Sequence, residues 1–324
     1  MAAVEPPVPP LYAGSLEGGS LRQRLLDYLF YGLTALAGAA VVALVVAIAV
    51  EVFMQASGAF SAFGLHFIVG TVWDPVRNVY GARDFIVGTL VSSFGAILLA
   101  GPLSIAIALF LTELAPRVLR GPIAGLVELL AAIPSVVLGL WGILVLGPVL
   151  KDHVEPALHS TLGFIPLFGG TPSEVGMLNA IVVLTIMVVP IVTSITRELL
   201  SRVPRELREG AIALGLTRWE TIRGVIIPYA GPGISAAVVL GVGRALGEAI
   251  AVAQVIGSAT GVHWSIFHPA DALASRIANQ YFGASSQLQI DSLLYLAAIL
   301  LVISLVTNLA AQVVVLRAEK RGVL

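Results

Sequence analysis

Long apolar runs recur along the chain, and six of them have about the length that crosses a lipid bilayer as a helix. Spanning the hydrocarbon layer takes about 20 mainly apolar residues in helical form. The pattern therefore predicts an all-α polytopic membrane protein with transmembrane helices at residues 28–53, 85–111, 123–150, 178–195, 229–256 and 293–316. Six spans place both termini on the same side of the membrane.

The composition agrees with this fold class. Hydrophobic residues make up 58% of the 324 residues and charged residues only 11%, whereas an ordinary soluble domain carries about 25% charged residues. The mean hydropathy is +0.97. Residues 1–20 are rich in proline and glycine and poor in large apolar side chains. They predict a disordered cytoplasmic tail, without a cleavable signal peptide, ahead of a six-helix domain at residues 21–324.

The distribution of basic residues predicts the orientation, because lysine and arginine are enriched in cytoplasmic loops. With the N-terminus in the cytoplasm, 13 of the 18 Lys and Arg residues fall in inner segments, and one, Arg244, falls inside a span. We therefore expect a plasma (inner) membrane protein with cytoplasmic N- and C-termini. Residues 197–228 then face the cytoplasm.

Six arginines mark the segment at residues 197–228, which predicts two short helices joined by a turn. Pro204 suits the first turn of a helix, and Gly215 suits the position just past a helix end, where left-handed backbone is favoured. Thr217 and Glu220 have the spacing of a reciprocal N-terminal cap. Pro228 is predicted to end the second helix.

One pattern in this segment is specific. It consists of Glu209, Gly210 and Ala211, then Gly215, then an aliphatic residue and Pro228. This pattern resembles the EAA loop of ABC-importer permeases. Gly210 stands where that family commonly has alanine. The resemblance implies a cytoplasmic coupling helix that docks into a cleft of an ATP-hydrolysing subunit. An amphipathic surface helix-turn-helix without a partner is the alternative.

The sequence offers no constellation for covalent or metal chemistry. It has no cysteine, and its five histidines fall in predicted outer loops without metal-ligand spacing. A Walker A loop places a lysine directly after a glycine, but Lys151 and Lys320 follow leucine and glutamate. We expect a chain that is not an enzyme and has neither metal nor cofactor. If ATP drives it, a separate subunit carries the nucleotide site.

A charged pair lies within the fifth predicted span. Arg244 comes 15 residues after Tyr229 and is expected near the bilayer centre, where a charge costs about 2.5–3.5 kcal/mol on insertion scales. Glu248 follows one helical turn later on the same predicted face. Two roles fit. In the first, the two charges neutralise each other or hold a neighbouring helix. In the second, the guanidinium of Arg244 binds an oxyanion, while Glu248 positions the guanidinium and weakens its binding of the anion.

Two stretches carry a further resemblance: GVGRALGEAIA around this pair and ELLAAIPSVVLGLWGILVL in the third span. Both resemble the phosphate-specific transport (Pst) permeases, most closely their PstC-type subunits. The resemblance extends over about residues 85–317. It implies a type I ABC-importer permease of the MetI-like architecture. It also implies a heterodimeric pore with a PstA-like chain, PstB-like ATPase subunits and an external PstS-like phosphate-binding protein. The net charge of −1 gives no indication of nucleic-acid binding.

The third span supplies two more candidates for the substrate path. Glu128 lies either in the path or near the cytoplasmic interface, six residues past Pro122. Pro134 is predicted to kink the helix. Ser135 then satisfies a freed carbonyl or meets the substrate.

The sequence thus predicts a permease subunit that passes inorganic phosphate into the cytoplasm while partner ATPases drive it. Two alternatives stay open. One is an ABC permease for another oxyanion, such as sulfate or molybdate. The other is an ion-gradient-driven carrier or a channel, against which the EAA-like loop argues because such a protein has no ATPase to dock.

Overall fold

The fold is described by a computed structural model that covers residues 21–320. The predicted N-terminal tail lies outside these residues. Within residues 21–320 the chain forms helices and no β-strand, apart from isolated bridges between Asp74 and Val79 and between Gly257 and Ala270. The α-helices in chain order are α1 Leu21–Phe63, α2 His66–Val69, α3 Arg83–Leu109, α4 Arg117–Ala132, α5 Ser135–Trp141, α6 Gly147–Val149, α7 Glu155–Leu162, α8 Met177–Ser201, α9 Arg205–Ala213, α10 Arg218–Thr221, α11 Ile227–Gly247, α12 Ile250–Val255, α13 Leu273–Gln280 and α14 Gln287–Lys320.

Shorter helical segments join several of these elements. The π-helical segments of the described residues are Phe110–Leu114, Gly142–Leu146, Leu150–Val154 and Ile222–Ile226. The 3₁₀ turns are Pro166–Phe168 and Tyr281–Gly283. A π-helical turn inside an α-helix is uncommon and frequently lies at a functional site.

The predicted number of spans is confirmed. Six helical stretches of the described residues are long and apolar enough to cross a membrane, namely Leu25–Phe63, Arg83–Leu114, Ser135–Leu162, Met177–Ser201, Arg218–Gly247 and Gln287–Val313. The third and fifth stretches differ from the predicted ones, because each predicted span contains a break in the helix.

The break in the third span replaces the predicted kink. Helix α4 ends at Ala132, and the backbone is extended at Ile133 (ψ 126°) and Pro134 (ψ 140°) before α5 begins at Ser135. Steric conflict with the proline ring disfavours helical backbone at the preceding residue. The prediction of one continuous helix at residues 123–150 was therefore wrong.

The chain divides into two units, Met1–Met54 and Gln55–Leu324. The described part of the first unit belongs to α1. Its residues from Leu25 onward are mostly apolar, as expected of a helix that crosses a lipid bilayer.

In the second unit α8 lies at the centre. Of its most apolar stretch, 72% is buried, against 39% or less for the other spans. Helix α3 packs along it, and Ser104 Oγ donates to Val189 O at 3.2 Å. Helix α11 approaches it at Gly241, where an added Cβ would lie 2.8 Å from a Val192 methyl group. A glycine is therefore required at this crossing.

The bundle of the second unit has two distinct ends. We call one the loop end, where α3, α8 and α11 meet α9. At the opposite end, α13 lies on the start of α3. There Arg276 forms a 2.7 Å ion pair with Asp271, and its guanidinium lies 4.6 Å above the Phe85 ring. Burial raises the pKa of Asp271, and the positive charge of Arg276 opposes that shift.

Candidate coupling loop and transport path

The turn after α9 has the predicted left-handed glycine. Gly215 has φ +86°. The Leu216 N–H donates to Ala211 O at 3.2 Å, and the Gly215 N–H donates to Ile212 O at 2.9 Å. These two bonds form a Schellman motif, which satisfies carbonyls left open at a helix end. The predicted turn is confirmed.

The predicted cap of the next helix is also confirmed. Thr217 Oγ1 accepts from the Glu220 N–H at 3.3 Å, and Glu220 Oε2 accepts from the Thr217 N–H at 2.8 Å. The two residues thereby satisfy two open donors at the start of α10. The glycine turn and the capping box fix the angle between α9 and α10 from both sides.

Pro228 does not end the helix that follows, so that prediction was wrong. The helix runs without interruption from Arg218 to Gly247, and α10 is its first turn. A proline inside an α-helix removes one hydrogen bond and clashes with the carbonyl four residues earlier. The π-helical segment Ile222–Ile226 lies directly before Pro228, and the Ile227 N–H bonds to Ile222 O, five residues back. The wider turn accommodates the proline.

The loop from α9 to α10 has one anchored face and one exposed apolar face. Ala211 is buried. The buried Ile222 and Ile226 pack with Leu200 and Val203 in one apolar cluster. The large apolar side chains of the exposed face are Leu207, Ile212, Leu214 and Trp219. The predicted coupling residues Glu209, Gly210, Gly215, Thr217 and Glu220 are exposed as well.

An arginine on α9 fastens the loop to two spans. Arg208 Nη2 donates to Leu200 O, at the end of α8, at 2.7 Å. The same guanidinium lies 3.0 Å from Glu113 Oε1, in the π-helical end of the second span. The sequence reasoning missed this pair, since nothing near Glu113 indicated a partner so far along the chain.

Glu128 also lies near the loop end, where it contacts Arg197 of α8 at 2.8 Å. Beside this pair is a cavity of about 610 Å³ whose lining includes Arg120, Arg205 and Arg208. The structure places Glu128 among the residues of the loop end. Its charge is neutralised locally by an arginine.

The helix that carries Arg244 ends directly before Glu248. Helix α11 ends at Gly247, and Glu248 has extended backbone (φ −73°, ψ 114°). Its Oε1 accepts from the Ala251 N–H at 3.3 Å and so satisfies a free donor at the start of α12. Three glycines in the last two turns of α11 weaken the helix there. The described residues contain no ion pair of Arg244 with Glu248.

The predicted depth of Arg244 is consistent with the packing of α11. Gly241 contacts Val188 and Val192, at the middle of α8. Arg244 lies three residues further along α11, which corresponds to about 5 Å at 1.5 Å per residue. The side chain of Arg244 is exposed on the surface of the chain. A cation at this depth is costly unless water or another polar group faces it.

The breaks in the third and fifth spans lie side by side. An added Cβ at Gly139 would lie 2.9 Å from Ala251, and one at Gly142 would lie 2.7 Å from Val255. Helices α5 and α12 therefore run in the same direction. Ser135 and Glu248, at the starts of these two helices, lie at the same end of the pair.

The structure thus brings two of the four predicted path residues to one level, Ser135 and Glu248, with Arg244 one turn before the break. Glu128 belongs to the loop end. Hydrocarbon offers no hydrogen-bond partners to extended backbone, so such breaks are stable where protein or a water-lined cavity covers them.

In the described residues no group of three or more His, Asp or Glu side chains could hold a metal ion.

Comparisons with known proteins agree with one another. The sequence profile of the binding-protein-dependent transport system inner membrane components matches residues 100–321. The phosphate transport system permease protein PstC of Mesorhizobium japonicum is 41% identical over 325 residues, with 99% of each chain covered. The PstC protein of Pasteurella multocida is 38% identical, covering 94% of this chain and 96% of its own.

A solved structure supports the fold. It is a bacterial alginate ABC transporter in complex with an alginate pentasaccharide-bound periplasmic protein, and one of its chains superposes with a TM-score of 0.60 at 18% identity. The match covers 92% of this chain and 98% of that one. At this level of identity the likeness concerns the arrangement of helices.

Proposed function

We infer the function from the family: the chain belongs to the binding-protein-dependent transport system inner membrane components and, within them, to the PstC permeases of phosphate transport systems. It is an integral inner membrane permease that carries inorganic phosphate, and it is not itself an enzyme. Permeases of this family work with an ATPase and a substrate-binding protein. The proposed partners are a PstB-like ATPase, a PstA-like second permease chain and a PstS-like phosphate-binding protein.

The α9–α10 loop is the proposed docking element for the ATPase. Its exposed apolar face includes Leu214, which is 83% exposed, and Trp219, which is 63% exposed. Exposed apolar patches of this kind mark interaction surfaces. The Schellman turn and the capping box hold the loop rigid, so a partner meets a preformed surface and pays little ordering entropy.

The proposed substrate path passes Arg244. Its guanidinium carries a fixed charge and several N–H donors in a fork that fits a tetrahedral oxyanion. The adjacent breaks at Ser135 and Glu248 supply further polar groups at a nearby level. The carboxylate of Glu248 disfavours tight anion binding, which suits a path through which phosphate must also leave.

In this proposal the α9–α10 loop faces the cytoplasm, and so do both termini. The supporting observation is the charge distribution, since the loop end carries the arginines of residues 197–223. The positive-inside rule then assigns that end to the cytoplasm. The α13 end faces outward, where the phosphate-binding protein delivers its ligand.

The test is reconstitution of the complete transporter in liposomes. The chain, its proposed second permease, the ATPase and the binding protein are co-expressed, purified together and supplied with ATP inside and phosphate outside. We expect ATP hydrolysis that rises with phosphate-loaded binding protein, together with uptake of radiolabelled phosphate. Sulfate and molybdate serve as competitors. Preferred uptake of either would reassign the substrate, and uptake without ATP would favour the gradient-driven alternative.

A further inference from the structure

The ion pair between Glu113 and Arg208 joins the α9–α10 loop to the second span. Arg208 is the fourth residue of α9, and it also donates to Leu200 O at 2.7 Å. The last carbonyls of a helix have no partner within that helix, so Arg208 completes the end of α8 while it holds Glu113. One side chain therefore connects three elements.

The environment of this pair differs from that of the other ion pairs at the loop end. The side chains of Arg208 and Glu113 are 26% and 16% exposed, whereas those of Arg202 and Glu198 are 70% and 63% exposed. Attraction between charges is stronger where water is partly excluded. The loss of one partner there leaves the other charge unpaired. The pair is thus a firm contact, unlike the exposed one beside it.

Glu113 lies at the end of a long helix. The second span is one uninterrupted helical stretch of 32 residues, Arg83–Leu114, and Glu113 belongs to its π-helical last turn. Its other end carries Asp84, which accepts from the Gly261 N–H at 2.6 Å, and Phe85, which lies beneath Arg276. A displacement of Glu113 would therefore act on a helix whose opposite end carries these groups.

The apolar contacts of α9 provide no comparable link to the second span. Ala211 is the buried residue of α9. Its methyl group makes apolar contacts, which are not directional. The ion pair of Arg208 with Glu113, in contrast, holds two opposite charges 3.0 Å apart in a partly buried place, so it resists separation as well as approach.

We propose that Glu113 and Arg208 are positioning residues that transmit movement of the ATPase-docked α9 to the second span. This inference rests on the proposed function, because it requires an ATPase on the α9–α10 loop. The pair contacts neither substrate nor nucleotide. Its loss should uncouple ATP hydrolysis from transport while the subunits stay assembled.

The experiment compares Glu113→Gln, Arg208→Gln and the double variant with the wild-type transporter in liposomes. Glu198→Gln is the matched control, since it removes one charge from the exposed pair at the same end. Three quantities are measured: the ATPase subunit retained on purification, the stimulation of hydrolysis by loaded binding protein, and the phosphate moved per ATP hydrolysed.

We expect both single variants to retain the ATPase subunit and to lose about tenfold in phosphate moved per ATP, an effect of the order that coupled sites have on each other's binding affinity. The double variant should be no worse than either single one, because residues that act as a unit are non-additive. The control should stay close to wild type. If Arg208→Gln lowers the yield, Arg208→Lys retains the charge and should give intermediate coupling.

Two results would overturn the inference. One is that both single variants move as much phosphate per ATP hydrolysed as the wild-type transporter, whose hydrolysis responds to phosphate-loaded binding protein. The other is a loss of uptake in proportion to lost ATPase subunit, which would make the pair a structural tie only. A wild-type transporter whose hydrolysis ignores phosphate would overturn the proposed function and, with it, this inference.

Discussion

Replacement of Gly215 tests whether the α9–α10 loop docks the ATPase. The residue has φ +86°, and an added Cβ would meet no atom within 4 Å. The cost of a side chain there is therefore backbone strain alone, about 1–2 kcal/mol for a residue other than glycine in left-handed conformation. A β-branched residue such as valine is among the least suited to that conformation.

Relief of this strain requires the chain to leave the Schellman geometry. The bonds to Ala211 O and Ile212 O would then be lost, and α9 would no longer be held at a fixed angle to α10. A penalty of about 1–2 kcal/mol lowers the ratio of docking-competent to other loop conformations by roughly 5–30-fold. The apparent affinity of the ATPase for the permease should fall by up to the same factor, because it scales with the competent fraction.

Gly210→Ala is the matched control for Gly215→Val. Gly210 lies within α9, is exposed, and also has open space around an added Cβ. Alanine there should stabilise the helix by about 0.5–1 kcal/mol, so ATPase binding should be unchanged or slightly tighter. Affinity is measured by titrating the ATPase onto immobilised permease in detergent, and uptake is measured in cells. Equal affinity and uptake for wild type and Gly215→Val, at equal amounts of inserted permease, would refute the docking role.

Three further predictions follow from the same structure. A single cysteine at the exposed Thr171 should react with a membrane-impermeant maleimide in intact cells, and one at Thr217 only after lysis; the reverse pattern would invert the topology. Asp271→Asn removes the charge that pairs with the buried Arg276 and should lower the free energy of unfolding by about 3–5 kcal/mol. Asp74→Asn is its control, because Asp74 pairs with Arg77 at an exposed place, and it should cost about 0–1 kcal/mol. Both are measured by thermal unfolding. Arg244→Gln should preserve assembly and ATPase binding but abolish phosphate uptake, and near-normal uptake would make Arg244 a structural charge.

The features predicted correctly from the sequence are those that depend on local chemistry. Apolar length sets the number of spans, because a helix must satisfy its own backbone in lipid. Gly215 and the Thr217/Glu220 cap follow from steric and hydrogen-bonding rules that act over a few residues. None of these required knowledge of what packs against them.

The errors arise where a distant element or a backbone irregularity decides the outcome. Pro228 was predicted to end a helix because it breaks an ordinary α-helical turn, but the π-helical turn before it changes the hydrogen bonding. Glu248 was expected to hold Arg244 because a continuous helix was assumed, yet its carboxylate accepts from the Ala251 N–H at the start of α12. The partner of Arg208 lies 95 residues away at Glu113, and no spacing rule connects them.

The hydrogen bond of Glu248 to α12 bears on the role of Arg244. An ion pair between the two side chains would have weakened the attraction of the guanidinium for an anion. In the structure the carboxylate is occupied at the start of α12, and Arg244 is exposed at a level near the middle of α8. A charge at that depth costs about 2.5–3.5 kcal/mol on insertion scales. The proposed water-lined path would relieve this cost, with a second permease chain facing α11 as its other wall. Without an ion pair to Glu248, Arg244 keeps its charge available for the anion that this proposed path would carry.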